Sequence, residues 1–159
     1  MAQAKNALPA REGWTVGEQL FLGIDHIGIA VPDMDAAVDF YRTAFGLAVV
    51  HEETNRDQGV REAMLAVGDS PVCIQLLAPL SEDSPLAKFL VKRGPGVQQL
   101  AYRVADVVAV TATLRERGLR LLYDEPHPGT AGSRINFVHP KDAGGVLVEL
   151  VEPASGPAS

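Results

Sequence analysis

The sequence predicts an α+β fold: two tandem β-α-β-β-β modules whose mixed sheets curve around a cavity. Three observations carry this reading. First, the chain repeats itself. "DHIGIAVPDMDAAVDFYRTAFGL" and "QQLAYRVADVVAVTATLRERGL" each read as a short alternating strand, an aspartate, and a helical pattern closed by glycine. Second, matching residues keep their spacing: His26 to Gln99 and Asp33 to Asp106 are both 73 apart, Gln75 to Glu149 and Glu62 to Asn136 both 74. Third, three strand-like segments follow each repeat, and one helix per set of strands belongs to the α+β class.

Each element has a local cause. In "DHIGIAV", Ile27, Ile29 and Val31 share one strand face, and His26, Gly28 and Ala30 the other. Asp33 is placed to cap a helix whose stripe is Met34, Ala37, Val38, Tyr41, Ala44 and Phe45, with Gly46 as its stop. The strands "GLAVVHEE", "VREAMLAVG" and "VCIQLLAP" follow. Ser84 and Pro85 then open a joining helix that carries Leu86, Ala87, Phe89 and Leu90. In "QQLAYRV", Leu100, Tyr102 and Val104 turn to the second helix, and Gln99, Ala101 and Arg103 turn away. Asp106 caps that helix (Val107, Val110, Leu114), Gly118 ends it, and "GLRLLYDEP", "SRINFVHP" and "GVLVELVEP" complete the module. In the last strand of each module, Ile74 and Leu76 alternate against Gln75, and Val146, Val148 and Leu150 against Glu149.

These elements define a single domain over 22–153, with module 1 at about 22–80, a linker helix at 84–93 and module 2 at about 96–153. Residues 1–21 form an extension whose Trp14, with Leu20, Phe21 and Leu22 at the junction, is expected to dock on the body; the Pro/Ser/Ala-rich 154–159 is expected to fray. The chain has 159 residues, is 47% hydrophobic and carries a net charge of −6, a balance that disfavours nucleic acid and acidic membranes as partners. No stretch approaches the ~18 apolar residues of a membrane span. Cys73 is the only cysteine, which excludes a disulfide framework and a thiolate zinc site and suits the cytoplasm.

The chemistry lies in four polar residues at matched places. His26, Gln75, Gln99 and Glu149 all stand on strand faces turned away from the helices. Taken singly, an inward histidine is usually a hydrogen-bonded core residue, and a glutamate in "LVELV" an edge residue. Four matched positions weigh more, because burying a carboxylate without a partner is costly. A divalent cation satisfies all four: nitrogen from His26, an anionic oxygen from Glu149, amide oxygens from Gln75 and Gln99. The predicted cavity is therefore a metal-containing one.

The segments "IDHIGIAVPDMDAAVDFY", "QGVREAML", "DSPLAKFLVKRGPG" and "LLYDEPHPGTAGSRINFVHPKDAGGVLVELVEP" resemble, in order, those of the vicinal oxygen chelate superfamily and, within it, the methylmalonyl-CoA epimerases. The likeness runs from Ile24 to Pro153. It implies a metal-dependent isomerase that removes and returns the proton alpha to an acyl-CoA thioester, and a homodimeric assembly. It places the metal ligands on His26, Gln75, Gln99 and Glu149. It places one catalytic base on Glu62 and the second on Glu149 itself. Gln98-Gln99 stands where that family commonly has a His-His pair. An amide oxygen is a weaker and harder donor, so Co, Mn or Mg is expected over Zn. The coenzyme A phosphates point to Lys88, Lys92, Arg93 and Lys141, and Arg103, on the face of Gln99, is expected to meet the acyl carboxylate or a neighbouring glutamate. His51 and His139 are expected near the mouth of the cavity, without an assigned role.

Three alternatives stand beside this one. Glu62 read blandly is a solvated strand residue paired with Arg61 or a neighbour. The chain could be another metal-dependent member of the superfamily, acting on a different acyl-CoA or on a hemithioacetal as glyoxalase I does. It could also be a metal-free binding protein like the bleomycin-resistance proteins.

Overall fold

A computed structural model describes residues 19–155; Trp14 and the rest of 1–18, and 156–159, lie outside the described residues. Contacts divide the described residues into two compact units, Asp25–Gln99 and a second formed by 100–155 with 19–24. Both are α+β.

In the first unit, strand β1 (Gly23–Ala30) leads to α1 (Met34–Phe45), where Asp33 accepts a hydrogen bond from the Ala36 amide at 3.1 Å. Gly46, at φ 69, ends the helix in the left-handed region open to glycine. Strands β2 (Ala48–Asn55), β3 (Val60–Ala66) and β4 (Cys73–Pro79) follow, then α2 (Pro85–Arg93) capped by Ser84. The strand order is β2-β3-β4-β1, with β1 parallel to β4 and the other pairs antiparallel. One face packs on α1 through Val31, Met34, Ala63, Leu65, Leu76 and Ala78. On the other face, α2 covers only the end that carries Ala30, Val60 and Leu77. The rest of that second face holds the polar side chains.

In the second unit, β5 (Gly96–Arg103, which begins in the first unit) leads to α3 (Val107–Glu116), where Asp106 accepts from the Ala109 amide at 3.0 Å. Strands β6 (His127–Pro128), β7 (Arg134–Val138) and β8 (Leu147–Glu152) complete the order β5-β8-β7-β6. Its core on α3 is Val104, Val107, Val110, Leu114, Val138 and Leu150. Leu20 and Phe21 dock there as expected, Phe21 stacking on Tyr102 at 4.5 Å between ring centres. Leu22 does not dock: its side chain is exposed, and only its amide is used, donating to the Arg103 carbonyl.

The second module departs from the repeat. "GLRLLYDEP" is not a continuous strand; it meets β7 only at the single bridge Leu121–Val138 and through a few backbone bonds around it. The cause is local. Pro126 and Pro128 lack amide donors, and the Asn136 side chain stands in for the ladder, accepting from the Tyr123 amide at 3.1 Å and donating to its carbonyl at 3.0 Å. Val146 is likewise exposed and precedes β8, so the alternation against Glu149 involves only Val148 and Leu150.

A short 3-10 turn, Pro140–Asp142, is pinned by Arg120, whose amide, Nε and Nη2 all donate to the Asp142 carboxylate at 2.8 to 2.9 Å. These bonds hold the Asp142 carboxyl down to about 2, against an ordinary 3.8. A carboxyl lowered by folding stabilises the fold above its ordinary range, and that contribution disappears as pH falls through 2. We expect Arg120→Ala to flatten the part of the acid-unfolding curve between those two values, as followed by circular dichroism. An unaltered curve would show that the exposed bridge adds nothing.

Candidate metal and proton-transfer site

Strand register decides which side chains share a face. In β1 and β4, His26 stands opposite Cys73 and Gly28 opposite Gln75; in β3 and β4, Met64 stands opposite Gln75 and Glu62 opposite Leu77. His26, Gln75 and Glu62 therefore all lie on the face away from α1. Gln99 joins them: its amide nitrogen is 3.3 Å from His26 Nε2 and 3.3 Å from Gln75 Oε1. All three side chains are buried.

Two neighbours make this meeting work: Asp25, which sequence reasoning passed over, and Gly28, which it read as a small residue leaving open space beside His26. His26 Nδ1 lies 2.7 Å from Asp25 Oδ2, so that nitrogen donates to the carboxylate and Nε2 keeps its lone pair toward Gln99. Gly28 supplies space: a Cβ there would stand 2.4 Å from Gln99 Cγ. The sequence showed only that Gly28 was small. We therefore expect Gly28→Ala to expel the Gln99 side chain from its place, lowering metal affinity by about 10–100-fold in a calorimetric titration, as loss of a supporting group does. Unchanged affinity would mean that Gln99 is not a ligand.

The trio fits a cation. As drawn, the Gln99 amide donates to both neighbours; half a turn of that amide brings Oε1 to the same place beside the His26 nitrogen and the Gln75 oxygen. Among the described residues, no three His, Cys, Asp or Glu side chains gather as a metal cluster would, so a cation here must use the amide oxygens. Gln98 lies on the opposite face of β5, half-buried, with its Oε1 lacking a hydrogen-bond partner among the described residues. Cys73 is half-buried beside His26 in register, and burial together with Asp25 raises its thiol pKa, which keeps it a protonated bystander.

Glu62 is not a solvated residue paired with Arg61. It is 5% exposed. Arg61 points to the α1 side, where its Nη2 lies 3.2 Å from Asp35 and 3.9 Å from Glu52. Directly across the ladder from Glu62 stands Glu53, and Glu53 is joined to His51. Sequence reading set His51 near the mouth of the cavity without a role and passed over Glu53; the signal available was the alternation of His51, Glu53 and Asn55 along β2.

In the second unit Glu149 is 4% exposed and stands opposite Phe137, on the face formed by Ala101, Ile135, Phe137 and Val151. A carboxylate on so apolar a face needs a donor or a cation beside it. The same register corrects the expected match of Glu62 with Asn136. Asn136 stands opposite Leu150 and donates to Thr111 of α3, so it faces the helix. Gln75 pairs with Met64 as Glu149 pairs with Phe137, which makes Ile135 the equivalent of Glu62. A one-residue slip reverses the face of a strand side chain.

The basic candidates are placed as follows. The Arg103 guanidinium passes over Gly23, where a Cβ would come within 3.2 Å of it. Lys141 is exposed on the turn held by Arg120 and Asp142. Lys88, Lys92 and Arg93 are exposed on α2, with Arg93 6.0 Å over the Phe89 ring. His139 accepts from the Lys141 amide at 3.1 Å, a structural role.

Comparison with known proteins gives concordant matches. Residues 25–137 match the model of the Glyoxalase/Bleomycin resistance protein/Dioxygenase superfamily. The ethylmalonyl-CoA/methylmalonyl-CoA epimerase of Cereibacter sphaeroides is 40% identical over 129 residues, covering 80% of this chain and 95% of that one. The crystal structure of methylmalonyl-CoA epimerase from Mycobacterium tuberculosis superimposes with a TM-score of 0.84 at 58% identity, over 89% of this chain and 94% of that one. A methylmalonyl-CoA epimerase solved in complex with methylmalonyl-CoA and ammonium gives 0.82 at 52% identity, over 86% and 97%.

Proposed function

Because this chain belongs to the glyoxalase/bleomycin resistance protein/dioxygenase superfamily and shares 40 to 58% identity with epimerases of that family, we propose that it interconverts (R)- and (S)-methylmalonyl-CoA. The observation that carries this reading is a buried glutamate, Glu62, on the same sheet face as the convergent His26, Gln75 and Gln99.

His26, Gln75 and Gln99 would hold a divalent cation, with Glu149 as the fourth ligand by correspondence with the family. When bound, the cation supplies positive charge next to the substrate oxygens that gain electron density as the alpha carbon loses its proton. Its donor set of one imidazole, one carboxylate and two amides favours Co, Mn or Mg over Zn. Asp25 holds the His26 ring in its ligating tautomer. Glu62 takes the alpha proton on one face of the substrate, and Glu149 exchanges a proton on the other. Arg103 and Lys141 are the proposed contacts for the acyl carboxylate and the coenzyme A phosphates. We take the enzyme to be a cytoplasmic homodimer, in keeping with its lone cysteine and with the habit of the family it resembles; among the described residues, no helix is long and apolar enough to cross a membrane.

The test is incubation of purified protein with one epimer of methylmalonyl-CoA in D2O, with metal analysis of the same sample. Proton resonance at the alpha carbon should decay as the other epimer appears, and one divalent ion per chain should be found. A protein that binds the thioester without exchange would be a binding protein of the same fold.

A further inference from the structure

Glu62 poses a problem that the proposed reaction leaves open. A base that accepts the alpha proton must release it before the next turnover, and at 5% exposure Glu62 has little direct access to water. Its cross-strand partner offers a route. Glu53 stands directly opposite Glu62 in the β2–β3 ladder, where side chains share a face and Cβ atoms lie about 5 Å apart. Glu53 Oε2 is 2.5 Å from His51 Nε2, and these two side chains are 27% and 39% exposed. Exposure thus rises along the series Glu62, Glu53, His51. The charges on the other side of β3, Arg61, Asp35 and Glu52, pair among themselves and take no part.

We propose that Glu53 and His51 form a proton relay that returns the proton held by Glu62 to solvent; the proposal rests on the epimerase reading and on Glu62 as its base. The steps balance. The alpha C–H bond breaks and its proton goes to a Glu62 oxygen. Protonated Glu62 passes a proton to the Glu53 carboxylate. Glu53 passes one from Oε2 to His51 Nε2, His51 gives the proton on Nδ1 to water, and exchange of its ring protons with water restores the Nδ1–H form for the next turnover. Reversal of the sequence reloads Glu62 when the substrate is the opposite epimer. His51 and Glu53 are positioned to serve Glu62 and do not themselves meet the reacting carbon.

The test measures kcat with methylmalonyl-CoA as buffer concentration is varied at constant pH and ionic strength. For His51→Ala we expect kcat about tenfold below the parent at low buffer, less than the 10²–10⁴-fold lost with a general base itself, because His51 acts only on return of the proton. Added imidazole should restore it, while the parent stays insensitive. Glu53→Gln, which keeps the shape of the side chain, should show the same rescue. Parent-like kcat in both variants at low buffer, or a loss that imidazole restores in neither, would overturn the relay. Absence of epimerisation and exchange in the parent would instead remove the function, and the relay with it.

Discussion

Glu62→Gln is expected to lower epimerisation by at least about 10²–10⁴-fold, the range for loss of a general base. It should also abolish deuterium uptake at the alpha carbon for the epimer whose proton Glu62 takes. Metal content should not change, since Glu62 lies outside the ligand set. The substitution keeps the volume of a buried side chain and removes one of two carboxylates that face each other across a strand pair. Like charges in that position oppose pairing, so the variant should melt no lower than the parent. Activity lost with stability kept is the signature of a residue retained for function. Full exchange in the variant would take Glu62 out of the mechanism.

The second large effect is expected from Glu149→Ala. Glu149 is the only anionic member of the proposed ligand set and also the proposed second base, so its removal should eliminate both the bound metal and activity toward either epimer. Glu149→Gln separates the two roles: an amide oxygen can still coordinate, weakly, but cannot accept a proton. That variant should recover part of the metal and none of the turnover. Stoichiometric metal retained by Glu149→Ala would break the ligand set.

The sequence alone determined much of this. The helix caps Asp33, Ser84 and Asp106, the stop at Gly46, and the strand alternation that turns His26, Gln75 and Gln99 from the helices are encoded locally, within a few residues of where they act. The repeat revealed the two modules because a duplicated unit keeps its spacing. What the sequence could not decide were facts of register and close approach. A shift of one residue separates Ile135 from Asn136 as the counterpart of Glu62, and linear spacing cannot see which face a slip selects. Whether "GLRLLYDEP" would pair along its length depended on a side chain, Asn136, more than ten residues away. Only the folded unit reveals that Gly28 makes room for Gln99 and that Arg61 turns from Glu62 to Asp35. Only there, too, does Glu53 stand across the ladder from Glu62. Periodicity is written along one chain; contact between strands is settled when the chain closes on itself, because distance in space is then set by packing and hydrogen-bond register rather than by sequence.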